Sequence, residues 1–376
     1  MTREEYLLYI EGAINSYSTK EKEYLKELFI ENSIAYDKLQ IKINDKNISA
    51  KPTESIDITD LEVSEQIEKC ISDSKEAVKI LEDWEFIKNY KYSVIYTVES
   101  NFEDLILNIT NSSNIIKKNK ISDECGYMFD FEKFDSLEPI IRENNDTKLL
   151  FLKYNLKFEA IHPQTQEEML VKYPLLVIIH KAENLIEFRF DNLNKIFFFG
   201  NKRFYLELVY KTADHFNRTF NADIIPLDLD FMIAKSKNHD KIKLIAQYIK
   251  TADGGHARLE VGNNEKYILP FIGELNLLMQ ENKSEFDKAP FIKGLLEQFI
   301  HEKEETSDYP WITVLWENEI KTRSTQVKFT FNYANGNFCL LQHYYNNILL
   351  GMERMNNVVR FIGENRRDYP KPVEPR

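Results

Sequence analysis

The sequence predicts an α+β fold: an acidic, mainly helical N-terminal domain over residues 1–145, then a larger domain over 146–376 with a central antiparallel meander, packed helices and a C-terminal hairpin leading into a helix. Three observations predict it. Polar and apolar residues alternate between Lys148 and Gly200, apolar residues recur at three- and four-residue steps on either side, and the charge balance changes near residue 146. The formal net charge is −12 at pH 7, and residues 1–150, with 19 Lys+Arg against 31 Asp+Glu, account for all of it. The remaining 30 against 30 are neutral and include all seven histidines. At 376 residues the chain exceeds what one core usually holds, so two domains are expected.

Taken in order, Glu4–Ile14 and residues 21–33 read as two helices, the second on Tyr24, Leu25, Leu28 and Phe29. Thr59-x-x-Glu62 matches a capping box, so a helix starting near Asp60 is expected, with Val63, Ile67, Cys70, Ala77, Leu81 and Trp84 along one seam interrupted at Ser74. Its other faces carry Glu65, Glu68, Asp73, Glu76, Glu82 and Asp83. These read as a solvated helix face or, more sharply, as an acidic surface for a basic partner. Tyr92–Val98 is β-rich, while Phe102–Ile109 fits helix or strand.

In the meander, Tyr154, Leu156 and Phe158 alternate with Lys153, Asn155, Lys157 and Glu159. Ile186, Phe188 and Phe190 alternate likewise with Glu187, Arg189 and Asp191, and Leu175–Ile179 is an apolar run fit for a central strand. One buried and one solvated face follow, the second decorated with opposite charges. Phe204–Phe220 reads as a helix. Ile242, Ile245, Ala246 and Ile249 read as another, stopped by Gly254-Gly255, with a strand after it through Ala257, Leu259 and Val261. Helices around Phe271–Glu281 and Phe291–Glu304 precede strands at Trp311–Trp316 and Val327–Tyr333. Asn335-Gly336 predicts a type I′ hairpin turn. The last helix carries Tyr345, Ile348, Met352, Met355 and Val359 on a seam that packs on its own domain or serves self-association.

Several chemistries lack a motif. There is no Walker loop, dinucleotide fingerprint, GxSxG, HExxH or kinase set, no repeat of solenoid period, and only 11 glycines with which to cradle phosphate. Cys70, Cys125 and Cys339 are odd in number and show no zinc spacing, which predicts buried thiols in a reducing compartment. No run is long and apolar enough for a membrane helix, and the start MTREEYLLYIEG does not read as a leader. A soluble cytoplasmic protein with no cofactor and no membrane partner is expected. The abundance of Lys, Asn, Ile, Phe and Tyr suggests an AT-rich bacterial or phage genome.

The leading functional expectation is a non-catalytic binding or assembly subunit of an intracellular bacterial complex, of the kind found in phage-defence or mobile-element systems. Its partner would be a protein with a basic surface. One alternative is a divalent-metal nuclease: Asp308 followed by Glu319-Ile-Lys321 resembles, in spacing alone, nucleases that set an acidic residue ahead of a Glu-x-Lys strand. Asp228-Leu-Asp230 is a weaker two-carboxylate candidate. The other alternative is a nucleic-acid sensor meeting phosphate through Lys235, Lys237, Lys241 and Lys243.

Overall fold

The computed structural model of the chain describes residues 2–37, 55–111, 129–130, 137–144, 146–252, 254–261, 272–317, 324–345 and 351–366. Eleven helices and fourteen mostly antiparallel strands among them make the fold α+β. The chain forms two compact units. Unit one comprises Met1–Lys91, Tyr96–Ile225 and Ile348–Arg360; unit two comprises Tyr92–Ile95, Pro226–Asn347 and Phe361–Arg376. The charge shift near residue 146 falls inside unit one, between two paired strands.

Unit one opens with α1 (Arg3–Ser16) and α2 (Thr19–Glu31), each started by a reciprocal capping box, Thr2 with Glu5 and Ser18 with Glu21. Strands β1 (Ala35–Tyr36) and β2 (Ile56–Asp57) pair in parallel. The helix expected from Asp60 starts later, as α3 (Val63–Asp73), because Asp60 sits at φ 65° and Glu62 with Glu65 forms the box instead. Ser74, in extended backbone, separates it from α4 (Lys75–Trp84), whose Ala77 N–H donates to the Ser74 Oγ at 3.3 Å. β3 (Tyr92–Val98) follows, then α5 (Phe102–Asn111), which decides the helix-or-strand ambiguity. After β4 (Phe129–Asp130) come β5 (Ile140–Asn144), β6 (Leu149–Ile161), β7 (Glu168–His180) and β8 (Leu185–Phe190). These last four form the antiparallel meander, with β6 and β7 paired from Leu149↔His180 to Ile161↔Glu168.

Helix α6 (Phe204–Phe220) occupies the predicted residues and covers the apolar face of the meander. Phe158 meets Phe204 at 5.6 Å, and Phe188 meets Phe216 at 6.3 Å. The expected solvated face is a correction, because Lys153, Asn155, Glu187 and Arg189 are fully or almost fully buried. Helices α1 and α4 lie over that face. Gly12 allows the approach of α1, since a Cβ there would stand 1.7 Å from the Leu170 carbonyl oxygen of β7.

The chain passes through β9 (Ile224–Pro226) into unit two: α7 (Phe231–Asn238), β10 (Ile242–Lys250), β11 (His256–Glu260), α8 (Ile272–Glu281), α9 (Lys283–Lys288), α10 (Pro290–Glu305), β12 (Asp308–Trp316), β13 (Thr325–Thr330) and β14 (Leu340–Tyr344). Its antiparallel sheet has the order β11-β10-β12-β13-β14, and Tyr92 and Ser93 pair with β14 beyond. The helix expected at Ile242–Ile249 is strand β10. Its buried positions, 242, 244, 246, 247 and 249, alternate with one break beside the register shift between Leu244 and Ala246, and Ile245, which suggested helical spacing, is only half-buried. The hairpin turn also differs. Positive φ falls on Asn332, Ala334 and Asn335, Gly336 has φ −88°, and the Tyr333 N–H donates to the Phe338 carbonyl at 3.0 Å across a wider connection. The last described helix, α11 (Glu353–Asn365), carries Met355 and Val359 fully buried, while Tyr345 and Met352 lie ahead of it and are half-buried. Ile348 lies outside the described residues. No helix among the described residues is long and apolar enough to cross a membrane.

Candidate partner surface

The acidic residues picked out on α3 and α4 have separate fates. Glu82 is fully buried with Glu85, against Lys153 of β6 and Lys172 of β7. Lys153 Nζ donates to the Glu82 carbonyl at 2.9 Å and to Glu85 at 2.7 Å; Lys172 Nζ donates to Glu85 at 2.7 Å and also to Glu82, which accepts from Tyr6 as well. Burial alone would raise the Glu82 pKa, but Lys153 and Lys172 outweigh it and hold the carboxyl at about 2. Glu82 therefore belongs to a core ion cluster and is no part of a partner surface. Of the others, Asp83 pairs with Arg142, Glu76 stands 3.5 Å from Lys79, and Glu65 accepts from the Glu62 N–H. Glu68 is half-buried and its pKa is raised, first by burial and then by Glu11, while Asp73 is exposed at the end of α3.

Unit one also holds a cleft of about 630 Å³, lined in part by Trp84, Lys88, His180, Asn356 and Arg360. Its charged groups engage one another. Lys88 donates to Asp191 and stands 4.4 Å from the Tyr90 ring centroid; His180 meets Glu187 at 3.0 Å, and Arg189 bridges Glu187 at 2.6 Å to Asn356 at 2.7 Å. Glu187 is held at about 2, because Arg189 and the His180 hydrogen bond overcome the effect of burial. The network is only partly satisfied: among the described residues, Glu187 Oε1 and Arg189 Nε and Nη1 are buried without a hydrogen-bond partner.

The lysines read as a phosphate patch are distributed over two elements and the turn between them. Lys235 and Lys237 lie on α7, and the Lys237 Nζ donates to Tyr309 at 3.2 Å. Lys243 lies on β10, 2.8 Å from Glu317, while Lys241 is exposed in the preceding turn. Asp308 begins β12, near enough to Asp230 to help raise its pKa after burial and Asp228. Glu319 and Lys321 lie outside the described residues. Among the described residues, no group of three or more His, Cys, Asp or Glu is placed to hold a metal ion.

The surface that stands out is the helical excursion of residues 272–305. No side chain of α8 or α9 is buried, and Ile300 is the single buried position among the described residues of α10. On α10, Phe291 is 77% exposed, Ile292 54%, Leu295 52% and Phe299 51%, with Leu278 of α8 at 51%. At about 100° per residue these four fall within roughly a 100° arc, a single stripe along one side. The excursion carries eight carboxylates against four lysines. Sequence reading locates α10 but not this exposure. The signal was the 291, 292, 295, 299 spacing, which reads equally well as a core-facing stripe. No protein-family model matches this chain, and no curated protein matches it.

Proposed function

We propose that the protein is a non-catalytic binding and assembly subunit that docks through the apolar stripe of α10 onto a partner protein with an apolar groove and a basic rim. The exposed stripe carries the proposal, because contiguous apolar side chains left in water mark contact surfaces. The excess of carboxylates over lysines in residues 272–305 argues for a basic rim. This favours a partner surface on α10 over one on α3 and α4, where Glu82 is buried and Asp83 is paired. Buried free Cys70 and Cys339 fit a reducing, cytoplasmic compartment. Residue usage fits a bacterial or phage complex, and a phage-defence or mobile-element setting extends the proposal from composition alone.

Size-exclusion with multi-angle light scattering, on protein from its native host, tests it. The wild type should run above the 44.6 kDa monomer together with a different chain, and Leu295→Asp/Phe299→Asp should run as the monomer. Because the stripe is exposed, that variant should keep its stability to within about 0.5 kcal/mol. A monomeric wild type, a homo-oligomer, or a double variant still in the complex would each overturn the proposal.

A further inference from the structure

The sheet of unit two has two unlike faces. Ile312, Val314, Val327 and Phe329 are fully buried on one. On the other, the register sets Arg258 beside Tyr248, Tyr248 beside Trp311, and Trp311 beside Thr330, across strands β11, β10, β12 and β13. Lys328, two residues before Thr330 and so on the same face, lies between Thr313 and Gln342. The Tyr248 and Trp311 rings are nearly parallel, 14° apart with centroids at 6.1 Å. The Arg258 guanidinium lies 5.5 Å and the Lys328 Nζ 4.3 Å from the Trp311 centroid. His256 adds a third ring, 5.9 Å from Tyr248.

These groups are open to solvent. The Arg258 side chain is 66% exposed, His256 is exposed, and Tyr248, Trp311 and Lys328 are half-buried. Arg258 pairs with Glu260, at the edge strand β11. The Lys328 pKa is lowered, first by burial against the ring and then by Arg258. The same face carries the hydrogen-bonding side chains of Gln326, Thr330 and Gln342, with Thr313, Leu315 and Leu340 beside them; Thr313 and Leu340 are buried.

Flat rings on a sheet, flanked by cations and bordered by amides and hydroxyls, match a ligand that is itself flat, anionic and edged with hydrogen-bonding groups. Bases inside a duplex are stacked on one another and cannot reach such a face; unpaired bases can. From β11 to β14 there are four strand spacings, about 19 Å in all, room for two or three nucleotides. We propose that the open sheet face of unit two binds a short stretch of single-stranded nucleic acid, stacking bases on Trp311 and Tyr248 and meeting phosphates with Arg258 and Lys328. This site does not use the lysines of α7 and is independent of docking through α10; Lys243 of β10 pairs with Leu315 farther along the same face.

Fluorescence anisotropy on the full chain, with labelled decathymidylate, decauridylate and a hairpin duplex, tests the proposal. At least one single strand should bind, and the duplex at least about tenfold more weakly. Two phosphate contacts give a log–log salt slope of about −1.4, far shallower than a basic patch would show. Trp311→Ala should weaken binding about tenfold or more, whereas Trp311→Phe, which keeps a stacking ring, should stay within about threefold of the wild type. Lys328→Ala should reduce the slope by about 0.7 and guards against a Trp311 variant that fails to fold. The proposal is overturned by no binding to either single strand, by equal binding of the duplex, or by unchanged binding in folded Trp311→Ala. Loss of self-association in that variant without oligonucleotide binding would make the face a protein contact and overturn it as well.

Discussion

Lys172 shows how a single residue reverses the reading of a whole face. Its ammonium is fully buried, yet it stays charged because Glu82 and Glu85 both accept from it, and its pKa is raised as those carboxylates outweigh burial. Removing it leaves two carboxylates to share Lys153 in a dry interior. Lys172→Met should cost about 3–5 kcal/mol in urea unfolding, while Lys172→Met with Glu85→Gln should cost clearly less than the sum of the two single changes. Additive losses would mean that the pair is not coupled. Alternation at Lys153, Asn155, Glu187 and Arg189 identified the strands correctly but not the wet side. Period two separates polar from apolar positions, and it carries no information about a carboxylate 71 residues away in sequence.

At the scale of elements, local chemistry was most legible where one segment settles its own conformation. Helix α6 matches its expected bounds, and the capping boxes of α1 and α2 are present in the sequence. Strand β10 was misread because Ile242, Ile245, Ala246 and Ile249 stand at helical steps in the sequence, although Ile245, at the register shift, is only half-buried. Helix α1 depends on Gly12, where it touches the backbone of β7. Gly12→Ala should gain about 1 kcal/mol of helix propensity but lose up to about 3 kcal/mol to the clash with the Leu170 carbonyl, which no rotamer change relieves. A net loss of about 2 kcal/mol in chemical denaturation is expected, and a stabilised variant would show that α1 can shift without cost. On α10, the stripe was legible as a stripe, but whether it faces a core depends on which elements pack beside it.

For the molecule as a whole, acid response follows from the buried carboxylates. Glu82 faces Lys153, Lys172 and Tyr6; Glu187 faces Arg189 and His180; both are held at about 2, below the ordinary 4.5. A carboxyl whose pKa is lowered by folding stabilises the native state above its unfolded pKa, and that contribution is lost as pH falls through the folded value. Asp191, raised by burial, acts in the opposite sense and offsets part of the loss. Thermal melts should therefore show a nearly constant Tm from pH 7 to about 5 and a steady fall from there towards about 2. A Tm unchanged down to pH 2.5 would show that the two networks do not hold as described.

The amino-acid sequence determined the α+β class, most helices, the order of the meander strands and the lack of familiar catalytic motifs, because propensity, capping and periodicity act over a few residues. Tertiary structure decided which faces are dry. It buried Glu82 against Lys153 and Lys172, left Phe291, Leu295 and Phe299 in water, and set Tyr248, Trp311, Arg258 and Lys328 together from four strands. The reason is that burial and side-chain proximity depend on contacts between segments far apart in the chain, which no local pattern encodes.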